Sequence, residues 1–195
     1  MEKDEIVRLV AEAHLPGRTA LVGLDGLGGS GKSSLASSLC EGLKALGIGT
    51  EMVHFDDFYL PSADRPPDVG DAKPVGGDFD WQRLRESVLA PLREGLRARY
   101  ARYDWHRHAL AETHEVTPGG VVLVEGVYCC RKELSGFYDL KIWVDCPRAL
   151  RLERGIARDG ESYRGQWEHD WMPAEDRYVA EHRPDQLADI TVSGW

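Results

Sequence analysis

Residues Gly26 to Ser34 read Gly-Leu-Gly-Gly-Ser-Gly-Lys-Ser-Ser and fit the pattern G-x-x-x-x-G-K-[ST], with Gly26, Gly31, Lys32 and Ser33 at the fixed positions. A loop of this kind wraps phosphates with backbone N–H groups, and glycine lets the chain turn tightly and come close to the ligand. Gly26, Gly28, Gly29, Ser30, Gly31, Lys32, Ser33 and Ser34 are therefore the residues expected to hold a nucleotide. Lys32 would reach the β- and γ-phosphates, and the Ser33 hydroxyl would bind Mg²⁺. The flanks suit the motif. Thr19 to Asp25 is a short apolar strand, and Ser33 to Leu46 carries Leu35, Leu39, Leu43 and Leu46 at helical spacing.

The same alternation continues along the chain. Apolar runs at Ala20–Leu24, Glu51–Phe55, Val121–Val124, Leu140–Val144 and Ile190–Val192 read as strands. Helical patterns lie at Ser33–Leu46, Asp80–Tyr100, Pro147–Ala157 and Pro173–His182. Strands alternating with helices predict an α/β fold with a central parallel sheet covered on both faces, and ligands at the carboxyl ends of its strands. A chain of 195 residues is expected to form one domain, 1–195. Pro61 to Gly77, rich in proline and glycine and holding Asp64, Asp68 and Asp71, reads as a loop beside the site. Tyr103 to Val116 reads as a small hairpin. Met1 to Asp4 leads into Ile6, Leu9, Val10 and Ala13, the pattern of a short amphipathic helix rather than a secretion signal.

Composition narrows the partners. The formal net charge of −9, from 33 acidic and 24 basic residues, argues against a nucleic-acid binder, which needs a basic face. It leaves a nucleotide substrate open, since a few local cations and a metal suffice. No run of apolar residues is long enough to span a membrane. The four cysteines, Cys40, Cys129, Cys130 and Cys146, show no zinc or redox spacing, and a reducing, cytoplasmic setting is expected.

Several residues have the chemistry that phosphate transfer requires. Asp56 and Asp57 follow the second strand, where an acceptor would lie. Asp56 could take the proton of an attacking hydroxyl, help hold Mg²⁺, or simply cap a turn. Glu125 ends the apolar strand Val121–Val124, at a position suited to organising Mg²⁺, with a structural salt bridge as the alternative. Arg148, Arg151, Arg154 and Arg158 recur at helical spacing, with Arg164 beyond. Arg158 and Arg164 are the expected lid arginines over the transferring phosphate, and the first three read as surface or packing residues. Tyr59, Phe79, Trp81 and the segment Tyr103-Asp-Trp-His-Arg-His108 could line a pocket for a planar base.

These blocks, together with Gly77–Leu84, Tyr138–Asp145, Tyr178–Pro184 and Ala188–Ile190, run in an order that resembles the uridine kinase and phosphoribulokinase branch of the P-loop kinases. The resemblance implies a P-loop NTPase three-layer sandwich with a small lid near 158–172 and acceptor-binding segments near 56–84 and 101–116. It also implies an ATP- and Mg²⁺-dependent kinase. Asp56 would be the general base, Ser33, Asp56 and Glu125 would serve the metal, and Arg158 and Arg164 would belong to the lid. Asp80 would bond the acceptor's ribose, and Tyr59, Tyr103 and His108 would contact its base. The expected partners are ATP and a small hydroxyl acceptor, a nucleoside such as uridine or cytidine, with self-association left open. Leu110 stands where the resemblance leads one to expect an arginine, and the lid carries Trp167, His169 and Trp171 in place of a regular helix. Nicotinamide riboside, a nucleoside monophosphate or a sugar are the alternative acceptors. A nucleotide-dependent switch or ATPase module is the alternative of another class.

Overall fold

Val121-Val-Leu-Val-Glu125 has no polar alternation, so a strand made from it must be covered on both faces. The computed structural model, which describes residues 1–67 and 73–194, puts it in the interior of a sheet. Asp68 and Asp71 lie outside the described residues. Five parallel strands are β1 (Ala20–Asp25), β2 (Thr50–His54), β5 (Val121–Glu125), β6 (Leu140–Asp145) and β7 (Ile190–Ser193), in the order β2-β5-β1-β6-β7. Register pairs Leu24 with Glu125 and His54 with Glu125, so the carboxyl ends of β1, β5 and β2 are level.

Successive strand residues feed opposite layers. Leu21, Val122 and Val124 join one core with Phe55, Phe58, Leu134 and Tyr178. Val22, Leu24, Val121 and Leu123 join the other, with Ile6 and Val10 of α1 (Lys3–Ala13) and Leu39 and Leu43 of α2 (Lys32–Ala45). This is the three-layer α/β arrangement that the alternation predicted.

One helix is shorter than its sequence pattern. The expected Asp80–Tyr100 helix is built from α3 (Trp81–Leu84), a wider π-wound turn (Arg85–Leu89) and α4 (Ala90–Arg93), and ends there. Pro91 lacks the N–H that would bond one turn back, and Gly95, at φ 73°, closes the end in the left-handed region. Ala98 then begins β3 (Ala98–Asp104), which pairs antiparallel with β4 (Ala109–Val116). Buried Ala98 and Tyr100 alternate with exposed Arg99, the two-residue period of a half-covered strand. The hairpin is thus longer than the segment from Tyr103 suggested.

The remaining helices are α5 (Lys132–Ser135), α6 (Arg148–Asp159), α7 (Arg164–Gln166), α8 (Met172–His182) and α9 (Pro184–Leu187). Between α6 and α8 the chain winds as a 3-10 turn, a short α-helix and a π-wound turn (Trp167–Trp171), the lid segment of the sequence reading. Among the described residues no helix is long and apolar enough to cross a membrane.

Candidate functional site

The glycine-rich loop joins β1 to α2, and Gly29 and Gly31 take φ values of 75° and 94°. A Cβ on Gly29 would lie 2.4 Å from the Arg151 carbonyl oxygen, so only glycine fits between loop and α6. Lys32 opens α2 immediately afterwards. Its charge acts on Asp25, Asp56, Glu125 and Glu175, favouring the ionised form of each. One lysine therefore serves four acids from three strand ends and a helix.

Two of those acids, Glu125 and Asp56, are the ones the sequence reading singled out. Glu125 is buried; its Oε2 accepts a hydrogen bond from Ser33 Oγ at 3.1 Å, and its Oε1 lies 2.7 Å from His54 Nδ1. Burial alone would raise the Glu125 carboxyl, but the His54 bond, Lys32 and Ser33 hold it below the ordinary value. The same bond raises His54. Asp56 lies in the 3-10 turn Phe55–Phe58 just past β2. Asp56 is exposed, and among the described residues nothing hydrogen-bonds its carboxylate, while the protein crowding around it raises its pKa. Asp57 is structural: it is buried and accepts a hydrogen bond from Tyr100 Oη at 3.0 Å.

Aromatic rings wall the neighbouring region. Tyr59 lies 4.9 Å from Phe79, 5.3 Å from Tyr103 and 4.6 Å from Trp105, centroid to centroid. The Arg65 guanidinium sits 4.3 Å from the Tyr59 ring centre and donates to Tyr103 Oη and to the Leu60 carbonyl. His108 Nδ1 is 3.3 Å from Tyr103 Oη, so Tyr59, Tyr103 and His108 do come together. Tyr103 is fully buried, its hydroxyl taken up by Arg65 and His108. Asp80 is the N-cap of α3: its Oδ1 accepts from the Arg83 N–H at 2.9 Å, and Oδ2 lies 3.4 Å from Arg83 Nε.

The two lid arginines separate. Arg158 is bound to Asp159 through two hydrogen bonds, and the charges of Asp56 and Glu175 also act on it. Arg164 is exposed and held by Glu161 and Glu168, so the structure does not bring it to the phosphate loop. The arginines that touch the loop's surroundings are two that read as surface or packing residues. Arg154 Nη1 donates to the Gly194 carbonyl at 2.7 Å and reaches Gly29 O at 3.5 Å. Arg151 is buried and donates to Glu175 Oε2 at 2.8 Å.

Sequence reasoning gave no role in the site to Asp25, Glu175 or Tyr178. Asp25 Oδ1 accepts from the Gly26 N–H at 2.7 Å, while Oδ2 accepts from the Cys130 N–H at 2.8 Å and Tyr178 Oη at 2.6 Å. Burial lifts its carboxyl to about 6 against those donors and Lys32. Burial likewise raises Glu175, opposed by the Gly28 N–H and Arg151. A signal for Asp25 existed. It ends an apolar strand, the argument that singled out Glu125.

Comparison with known proteins gives the family. The phosphoribulokinase/uridine kinase family model matches residues 21–180. The chain belongs to that family. It is an ATP-dependent kinase on a P-loop NTPase fold. The kinase is 32% identical over 146 residues to the uridine kinase of Staphylococcus carnosus, covering 72% of this chain and 68% of that one. Its fold matches the structure of a possible uridine kinase from Bacillus stearothermophilus with a TM-score of 0.76, at 23% identity over 97% of this chain and 96% of the other. It also matches a putative fructose transport system kinase from Silicibacter sp. TM1040 with a TM-score of 0.74, at 25% identity over 98% and 99% of the two chains.

Proposed function

We propose that the kinase transfers the γ-phosphoryl group of ATP to a hydroxyl of a nucleoside, with uridine or cytidine as the acceptor and Mg²⁺ as the cofactor. The observation that carries the reading is the unbonded Asp56 carboxylate beside Lys32 and the Ser33–Glu125 pair, at the level carboxyl ends of β2, β1 and β5. Asp56 takes the proton of the attacking hydroxyl, a step typically worth about 10²–10⁴-fold in rate. Lys32 and the loop N–H groups hold the phosphates as charge redistributes, so catalysis is mostly positioning and electrostatics. Ser33, Asp56 and Glu125 offer the hard oxygen donors that suit Mg²⁺, which when bound neutralises phosphate charge. A cavity of 510 Å³ bordered by Gly31, Ser34, Leu35, Arg154, Val192 and Gly194 offers room for the nucleotide base beside the loop. Four free, buried cysteines fit a reducing compartment, and a cytoplasmic setting is part of the same proposal.

The acceptor side supports a neutral molecule over a phosphorylated one. A phosphate ester needs about two or three cations around it. Lys73 is tied to Asp78 at 2.7 Å, and Arg83 is tied to Asp80 and to the Ala101 carbonyl. Of Arg65, Lys73 and Arg83, Arg65 alone has no carboxylate partner among the described residues. A guanidinium among Tyr59, Tyr103 and Trp105 suits a planar, carbonyl-bearing base. The near full-length match to the putative fructose transport system kinase favours a sugar as the second reading.

ADP release would be followed with Mg²⁺-ATP and a panel of uridine, cytidine, nicotinamide riboside, nucleoside monophosphates and sugars. The expected result is stimulation by a pyrimidine nucleoside that falls about 10²–10⁴-fold in Asp56→Asn. Stimulation by a sugar alone would move the acceptor to the second reading. Full turnover in Asp56→Asn would remove Asp56 from the base role.

A further inference from the structure

Phosphate loops are usually described by what they offer the ligand. Here the first half of the loop is itself gripped from behind by one helix. The Gly28 N–H donates to Glu175 Oε1 at 2.8 Å, and the Leu27 carbonyl on the same peptide accepts from the Ser30 N–H at 3.1 Å. One turn along α8 from Glu175, Tyr178 Oη donates to Asp25, whose other oxygen takes the Gly26 N–H. Glu175 and Tyr178 thus fix the loop peptides at Gly28 and Gly26.

The grip is buried and matched in charge. Glu175 is 6% exposed and Arg151, its ion-pair partner, 3%. Trp167, 1% exposed, lies against the same glycine: a Cβ on Gly28 would come within 2.8 Å of Glu175 Oε1 and 2.9 Å of the indole. Trp167 also lies over Gly155 of α6 and donates to Asp159 Oδ2 at 3.0 Å. A carboxylate this close to a triphosphate site would repel the nucleotide if it stood alone. Arg151 and the Gly28 N–H cancel that charge while leaving the peptide held.

We propose that Glu175 is a positioning residue for ATP binding: it holds the Leu27–Gly28 peptide so that the phosphate loop is already shaped when the nucleotide arrives. Pre-shaping lowers the ordering cost of binding, so its loss appears in nucleotide affinity and leaves the acceptor site alone. The inference rests on the ATP-dependent kinase reading but not on the identity of the acceptor.

The test is calorimetric titration of the whole protein with Mg²⁺-ADP, alongside thermal unfolding without nucleotide. Glu175→Ala should bind ADP about tenfold more weakly, the scale of a lost hydrogen bond to a charged acceptor. Glu175→Gln keeps an oxygen for the Gly28 N–H but strands the buried Arg151 charge. It should lose thermal stability yet bind ADP within about threefold of the wild type. Should Glu175→Ala fail to fold, Gly28→Ala asks the same question, since its Cβ drives Glu175 and Trp167 off the loop, and it too should weaken ADP binding. Wild-type ADP affinity in Glu175→Ala, or in Gly28→Ala where that replaces it, would overturn the proposal. So would equal losses in Glu175→Ala and Glu175→Gln, because charge rather than the held peptide would then be at work. A wild-type protein that binds no ADP would instead bring down the ATP-dependent reading itself, which keeps the two failures apart.

Discussion

The two halves of the site are built from different materials. Around the phosphate loop the chain assembles charge: Lys32 stands among Asp25, Asp56, Glu125 and Glu175, and three of those acids are tied to named donors. Around Tyr59 it assembles rings, held by offset and edge contacts with a single guanidinium over them. A charge network tolerates little change, because each buried ion depends on its partners. A ring cluster can exchange one planar surface for another at a cost nearer 1 kcal/mol. The phosphate-donor half is therefore the fixed part of this kinase and the acceptor half the adjustable one.

The largest expected effect tests the fixed half. Lys32→Ala removes a cation that acts on four carboxylates, so that those without an arginine partner of their own repel the triphosphate as well as one another. Turnover should fall by about 10²–10³-fold, with ATP affinity falling too. Unchanged ATP binding would mean that the loop's N–H groups alone hold the phosphates, and the contrast between the halves would weaken.

Arg65→Ala tests the adjustable half. Loss of its stacking on Tyr59 and its bond to Tyr103 Oη should raise the acceptor KM about tenfold and leave the ATP KM where it was. A matching rise in the ATP KM would show that the halves are not separable.

A subtler effect lies beneath the loop. Asp25 sits at about 6 in the folded protein against an ordinary 3.8, so its folded form keeps the proton longer. The stability this contributes is complete below about pH 4 and is lost as pH rises through 6, a change of about 3 kcal/mol. Asp25→Asn does not titrate. The difference in Tm between the variant and the wild type should therefore move in the variant's favour by several °C between about pH 4 and 7. A constant difference across that range would place the Asp25 pKa near its ordinary value.

Much of the fold was legible because its signals are local. Apolar strands, leucine spacing and the glycine loop located the five-stranded sheet to within a residue or two, and strand ends pointed to Glu125 and Asp56. The helix after Asp80 was overextended because Arg97 to Tyr100 satisfies helical and strand periods alike, and the turn at Gly95 decides between them. Nothing local showed what Glu175 and Tyr178 would hold. Their partners are Gly28 and Asp25, 147 and 153 residues away, and only the packing of α8 across the sheet joins them. What the arginine row packs against was hidden for a related reason. Helical spacing shows that Arg151, Arg154 and Arg158 share a side of α6, but not that the loop lies against its first turns.

The smallest expected effect settles that last point. Arg164 is exposed, and its guanidinium is held by Glu161 and Glu168, whose charges also act on it. Were it to close over the transferring phosphate, it would have to leave both partners, and surface pairs of this kind are weak enough to permit it. Yet Arg154 and Arg151 already stand at the loop, and Arg158 already lies within reach of Asp56's charge. Arg164→Ala should accordingly change kcat less than about threefold, while Arg158→Ala lowers it by tenfold or more, about the scale of one lost charge-stabilising contact. Single-turnover rates with saturating ATP read this directly, without interference from product release. A large loss in Arg164→Ala would mean that the lid moves its far arginine inward during the reaction, and that the charged half of the site is completed only when the substrates are bound.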